Sequence, residues 1–87
     1  MNYHDNNRLL IEKNLERVVE KMCISCKIGK ADWDFNESLR SALQATTCIT
    51  RIQDLITKYN ETFELAKKSN IQINSKYQHL YKLNNTK

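Results

Sequence analysis

Cys23-Ile24-Ser25-Cys26 is the only stretch of this 87-residue sequence whose residue types and spacing carry a named chemistry. Two thiols spaced C-x-x-C share one side of a helix, which suits half of a tetrahedral zinc site or a dithiol redox pair. Zinc needs two further ligands. Cys48 is predicted to lie ~13 Å or more from Cys26 along the helix axis at about 1.5 Å per residue, and His4 and His79 fall in the terminal segments. No tetrahedral metal site is therefore expected within one chain, which leaves only Cys23 and Cys26 from two symmetric chains as a route to one. Redox work is disfavoured because a reactive pair sits at a helix N-terminus, where the dipole stabilises thiolate, whereas this pair is predicted at a C-terminus. The three cysteines read as small buried hydrophobes in a reducing compartment.

No other constellation suggests catalysis. Glu12, Glu16 and Glu20 recur every fourth residue and read as a solvated helix face. A sequence whose single glycine is Gly29 has little with which to build a phosphate-cradling loop. The expectation is a non-enzymatic protein with no cofactor and no small-molecule substrate.

The net charge of +4 is concentrated at one end. Up to Glu64, nine Lys/Arg face ten Asp/Glu, whereas Lys67, Lys68, Lys76, Lys82 and Lys87 face no acid after it. Interleaving Lys67, Lys68, Lys76 and Lys82 with Tyr77 and Tyr81 gives the mixture of charge and flat rings that holds single-stranded nucleic acid. No recognised nucleic-acid-binding signature accompanies it.

The elements that must position these groups are helical. There is no proline, and the β-branched residues do not alternate over a long run. The fold class expected is all-α: an antiparallel helical hairpin over about 7–28 and 34–69, then a short third helix over about 75–83, in a single domain spanning 1–87. Residues 1–6 are expected to fray and 84–87 to form a disordered tail. Ile11, Leu15, Val18, Met22 and Cys26 make one seam of the first helix, widened by Leu10 and Val19. Trp33 and Phe35 would plug the closed end of the hairpin. Asp34, with Glu37 three residues on, reads as a capping box opening the second helix. Along that helix Ala45, Ile49, Ile52, Ile56, Tyr59, Phe63 and Ala66 recur at alternating steps of four and three. Such a helix would run ~54 Å at about 1.5 Å per residue, too long for the first helix to cover. Ser75 and Gln78 form another capping pattern, and the third helix would fold back to dock Tyr77, Leu80 and Tyr81 on Tyr59 and Phe63.

An overhanging apolar seam asks for a second chain, so oligomerisation into a bundle or assembly with a hetero-partner is expected. The function this implies is a helical protein–protein interaction module, a small subunit or regulator that docks a partner or its own copy through Ile49, Ile52, Ile56, Tyr59 and Phe63. The alternative is a basic nucleic-acid-binding accessory protein acting through the Lys/Tyr-rich end. A phage or mobile-element inhibitor fits the size and the Asn/Lys-rich composition without a physical signature of its own. The polar N-terminus and the short apolar runs predict a cytoplasmic or nuclear protein with no membrane insertion.

Overall fold

The computed structural model describes residues 3–43 and 46–81. Among these the chain is helical, with no strand. Five α-helices follow in order: α1 (Tyr3–Cys26), α2 (Lys30–Phe35), α3 (Glu37–Ala42), α4 (Thr46–Arg51) and α5 (Gln53–Lys68). A 3-10 helix (Ser75–Leu80) closes the described chain.

Helix α1 starts earlier than the periodicity suggests, so positions 3–6, expected to fray, are helical; Met1 and Asn2 lie outside the described residues. Its C-terminus is closed by Lys27 in a left-handed conformation (φ 59°), with Ile28 N–H donating to the Cys23 carbonyl and Lys27 N–H to the Ile24 carbonyl. These two bonds satisfy carbonyls that the helix end would leave orphaned. Gly29, two residues on, takes an extended conformation and precedes α2.

The long second helix does not form. Its stretch is divided among α2, α3, α4 and α5, and a ~54 Å rod at about 1.5 Å per residue exceeds the 40 Å long dimension of the molecule. The first break is at Asn36, which is extended (φ −128°, ψ 103°) and caps α3 by accepting from the Leu39 N–H at 3.2 Å. Asn36 thus replaces Asp34 as the capping residue, since a short amide competes with the helix for backbone bonds. Arg40 stabilises the corner by donating to the Trp33 and Asp34 carbonyls at the end of α2, both at 3.0 Å. Helix α3 ends at Ala42, ahead of the buried Leu43, and α4 begins at Thr46; Ala45 lies outside the described residues. The last break is an inflection at Ile52 (φ −116°, ψ 25°), across which the bonds from Ile52 N–H to Cys48 and from Ile56 N–H to Ile52 persist. β-Branched Thr46, Thr47, Ile49, Thr50 and Ile52 crowd this stretch and weaken its helix preference.

Helix α5 ends as α1 does. Asn70 is left-handed (φ 57°), and Ile71 N–H reaches the Ala66 carbonyl at 2.9 Å. The chain then turns back into the 3-10 helix, whose start is capped by Asn74 accepting from Lys76 N–H. The position predicted for a third α-helix is therefore a tighter 3-10 turn, with Asn74 rather than Ser75 as its cap. Lys82, Leu83 and the expected tail 84–87 lie outside the described residues.

The core joins Ile11, Leu15, Val18, Val19, Met22 and Cys23 of α1 to Trp33, Leu43, Ile52, Ile56, Tyr59, Phe63 and Ala66, and is closed by Ile71, Ile73, Tyr77 and Leu80. The 3-10 segment docks largely as its sequence suggests: the Tyr59 hydroxyl donates to the Tyr77 carbonyl, and Tyr81 stacks on Phe63 at 4.7 Å. Trp33 is fully buried against Tyr77, whereas Phe35, expected beside it, is 88% exposed. Leu10, expected to widen the core stripe, is also exposed. The seam that was to overhang is thus covered by α1 and by the chain's own C-terminal segment. The physical ground for requiring a second chain goes with it. No helix among the described residues is long and apolar enough to cross a membrane.

Candidate docking surface

The five residues expected to meet a partner are turned inward. Ile52, Ile56, Tyr59 and Phe63 are core residues at 5% exposure or less, and Ile49 is half-buried against them. Their periodicity reports a core stripe, because helix α1 and the 3-10 segment bury it at no cost in extra chain.

The Lys/Tyr-rich end is likewise occupied. Tyr77 is buried, its hydroxyl donating to Glu16 at 3.1 Å; Tyr81 hydrogen-bonds Glu64 through its hydroxyl. Lys67 donates to the Tyr81 hydroxyl at 3.1 Å, a bond that raises the Lys67 pKa. Lys76 approaches Asp34 at 3.7 Å and lies over the Tyr77 ring at 5.3 Å. Lys68 is exposed, and Lys82 lies outside the described residues. Of the two rings, Tyr77 is thus taken into the core, and Tyr81 is half-buried with one face stacked on Phe63.

The cysteines are rearranged relative to the straight-helix expectation. Because the long second helix is broken into separate helices, Cys48 of α4 lies beside Cys26 at the end of α1. Burial, reinforced by Cys48, pushes the Cys26 thiol up to about 12. Cys23 is 2% exposed, and burial raises its pKa too. Of the two thiols expected to share an ion across two chains, Cys23 is thus a core residue and Cys26 is half-buried. No group of three or more His, Cys, Asp or Glu suited to a metal occurs among the described residues.

Of the acidic stripe of α1, Glu20 is exposed as expected of a solvated face, whereas Glu12 and Glu16 form a structural staple. Glu12 accepts from the Asn74 N–H at 2.8 Å, and Glu16 accepts from Lys30 at 2.7 Å. Lys30 also reaches both Asp34 oxygens at 3.0 Å. The hydrogen bond from Lys30, opposed by burial and helped by Tyr77, holds Glu16 below its ordinary value. Burial works against the Lys30 charge, but the bonds from Glu16 and Asp34 outweigh it and raise its pKa. Lys30, Arg40 and Lys76 all lie about 6 Å from the Trp33 ring, tying α1, α2, α3 and the 3-10 helix together around one indole.

That staple consumes acids on one side of α1 and leaves bases on the other. Helices α1 and α5 pack side by side in opposite directions: Glu12 meets Asn74 just beyond α5, and Cys26 meets Cys48 just before it. Between them runs a groove of about 280 Å³ in which Asn14, Arg17, Val18 and Lys21 of α1 oppose Leu55, Lys58 and Thr62 of α5. Arg17, Lys21 and Lys58 make no ion pair among the described residues, and no carboxylate lines the groove. Val18 and Leu55 supply an apolar floor.

The same helical stripes extend beyond the groove. On α1 the steps of four and three through Asn14, Arg17 and Lys21 continue to Leu10 at one end and Ile24 at the other, which are 61% and 77% exposed. On α5, Leu55, Lys58 and Thr62 continue to Leu65, 56% exposed. Ile24 and Leu65 thus extend the cationic strip, whereas Leu10 stands at its edge and also lines a second depression with Leu9, Glu12, Lys13, Glu16 and Tyr77. Sequence reasoning passed over this surface because Arg17 and Lys21 acquire meaning only once Lys58 is placed beside them. The available signal was the stripe Leu10, Asn14, Arg17, Lys21, Ile24, which parallels the core seam of α1. Comparison of the chain with protein-family models, curated proteins and solved structures finds no match.

Proposed function

We propose that this chain is a non-enzymatic helical interaction module, a small subunit or regulator that docks a protein partner through the exposed α1/α5 face. The observation that supports this is the alignment of the exposed Ile24 and Leu65 with the unpaired Arg17, Lys21 and Lys58 along the α1/α5 groove, with Leu10 at its edge. Exposed apolar side chains scattered singly are ordinary, but a set aligned along two packed helices and rimmed by charge is the pattern of a binding surface. The core seam, by contrast, gives the module its rigidity: a partner meets helices already fixed against each other, so little ordering entropy is lost on binding.

The test is site-specific photo-crosslinking in the native host, with p-benzoylphenylalanine installed at Lys21 or Leu65 on this face and at Asp32 on α2 as control. A discrete protein adduct from Lys21 and Leu65 and none from Asp32 is expected. Equal adducts from all three positions, or none from the first two, would overturn the reading.

A further inference from the structure

Resting on that docking reading, we infer that the α1/α5 face receives one amphipathic α-helix of a partner protein, acidic at its middle and apolar at both ends. A groove between two helices running side by side is the seat of a third helix in a bundle, where its side chains interdigitate with both neighbours. The seat has a definite length. Leu10 to Ile24 spans ~21 Å at about 1.5 Å per residue, so roughly four turns of the occupant engage it.

Its chemistry is also definite. Arg17 and Lys21 stand one turn apart on α1, with Lys58 across the groove, so carboxylates at spacings of three and four on the incoming helix meet all three cations. Leu10 and Leu65 at one end and Ile24 at the other give apolar anchors outside the charged stretch. The remaining occupants fit less well. A second copy of this face would set cations against cations, a repulsive juxtaposition. A single-stranded nucleic acid would find phosphate partners but no ring in the groove on which to stack a base, because none of the residues that line it is aromatic.

The experiment uses the full chain and a fluorescein-labelled helical peptide of about 18 residues, with leucines near both ends and three glutamates on the same face at its centre. Two controls carry lysine in place of glutamate, or the same residues scrambled. Fluorescence anisotropy is expected to show binding of the acidic peptide only, weakening at least ~10-fold for Arg17→Glu/Lys21→Glu, a change worth about 1.4 kcal/mol. Binding is also expected to fall on raising the salt and to fall for Leu10→Ser/Ile24→Ser. Circular dichroism establishes that each variant remains folded.

The inference is overturned if the acidic peptide fails to bind at low salt, if the lysine or scrambled peptide binds equally, or if a folded charge-reversed variant binds as before. Displacement of the acidic peptide by an equal concentration of single-stranded oligonucleotide overturns it in favour of nucleic acid. Self-association of the free chain that is lost in Arg17→Glu/Lys21→Glu overturns it in favour of a second copy. If Lys21 and Leu65 crosslink a host protein while the peptide fails, the docking face stands and only the acidic-helix assignment falls. If both fail, both fall.

Discussion

The Tyr59 hydroxyl donates to the backbone carbonyl of Tyr77, joining the middle of α5 to a segment 18 residues further along the chain. Burial raises the Tyr59 pKa, which keeps the phenol protonated and able to donate across the accessible pH range. Tyr59→Phe removes the donor and leaves the Tyr77 carbonyl only its place in the 3-10 helix. The expected loss is about 0.5–1.5 kcal/mol, read by urea unfolding, and an unchanged midpoint would show that the bond contributes nothing.

Ile56 is fully buried at the contact of α5 with α1. Truncation to alanine deletes three carbons and leaves a cavity, so Ile56→Ala is expected to cost about 2–5 kcal/mol. The folded variant should keep the mass of the parent in light scattering. A fall in assembly state without loss of stability would place Ile56 at an interface instead.

How much of this was written in the sequence can be judged from Ile56 and its neighbours. The steps of four and three from Ile52 to Ala66 and from Ile11 to Met22 mark the two core stripes correctly, and Tyr77 and Tyr81 find Tyr59 and Phe63 as their spacing suggests. What periodicity cannot report is which body buries a stripe, because a core face and a docking face obey the same spacing. The break at Asn36 was hidden by a rival: Asp34 with Glu37 offers an equally good capping pattern two residues earlier. The β-branched crowding from Thr46 to Ile52 was the available sign that the helix would inflect. The bends it accompanies bring Cys48 to Cys26, a contact that no linear spacing encodes.

Lys27 holds a left-handed conformation that costs an L-residue with a Cβ roughly 1–2 kcal/mol and that glycine adopts freely. Lys27→Gly is expected to raise stability by about 0.5–1 kcal/mol, the relief of strain outweighing the added freedom of the unfolded chain. A lower thermal midpoint would contradict this.

The pairing of Glu16 with Lys30 has a pH signature. Because the folded pKa of Glu16 is held below 4.5, its stabilising contribution is complete above that value and is lost as pH falls through the lowered folded value. The carboxylate is partly solvated, so Glu16→Gln is expected to cost only about 0.5–1 kcal/mol near neutrality. The wild type should therefore lose stability faster than Glu16→Gln between about pH 5 and pH 3. Parallel curves would show that the pair is not formed.

The Cys26–Cys48 contact predicts the outcome of mild oxidation. Diamide, which accepts the two thiol hydrogens as the S–S bond forms, should link Cys26 to Cys48 and leave the buried Cys23 reduced in a peptide map. Since thiolate is the attacking species and Cys26 is pushed up to about 12, the reaction should accelerate as pH rises. Recovery of a Cys23–Cys26 bridge, or of three free thiols at high pH, would contradict the placement of α4.

The most direct measurement is the mass of the purified, cooperatively folded chain by sedimentation equilibrium. A seam sheltered by its own chain predicts a folded species of 10.3 kDa whose mass is independent of concentration. A dimer or larger assembly that unfolds on dilution would mean that Ile52, Ile56, Tyr59 and Phe63 are sheltered by a second chain, contrary to the fold described.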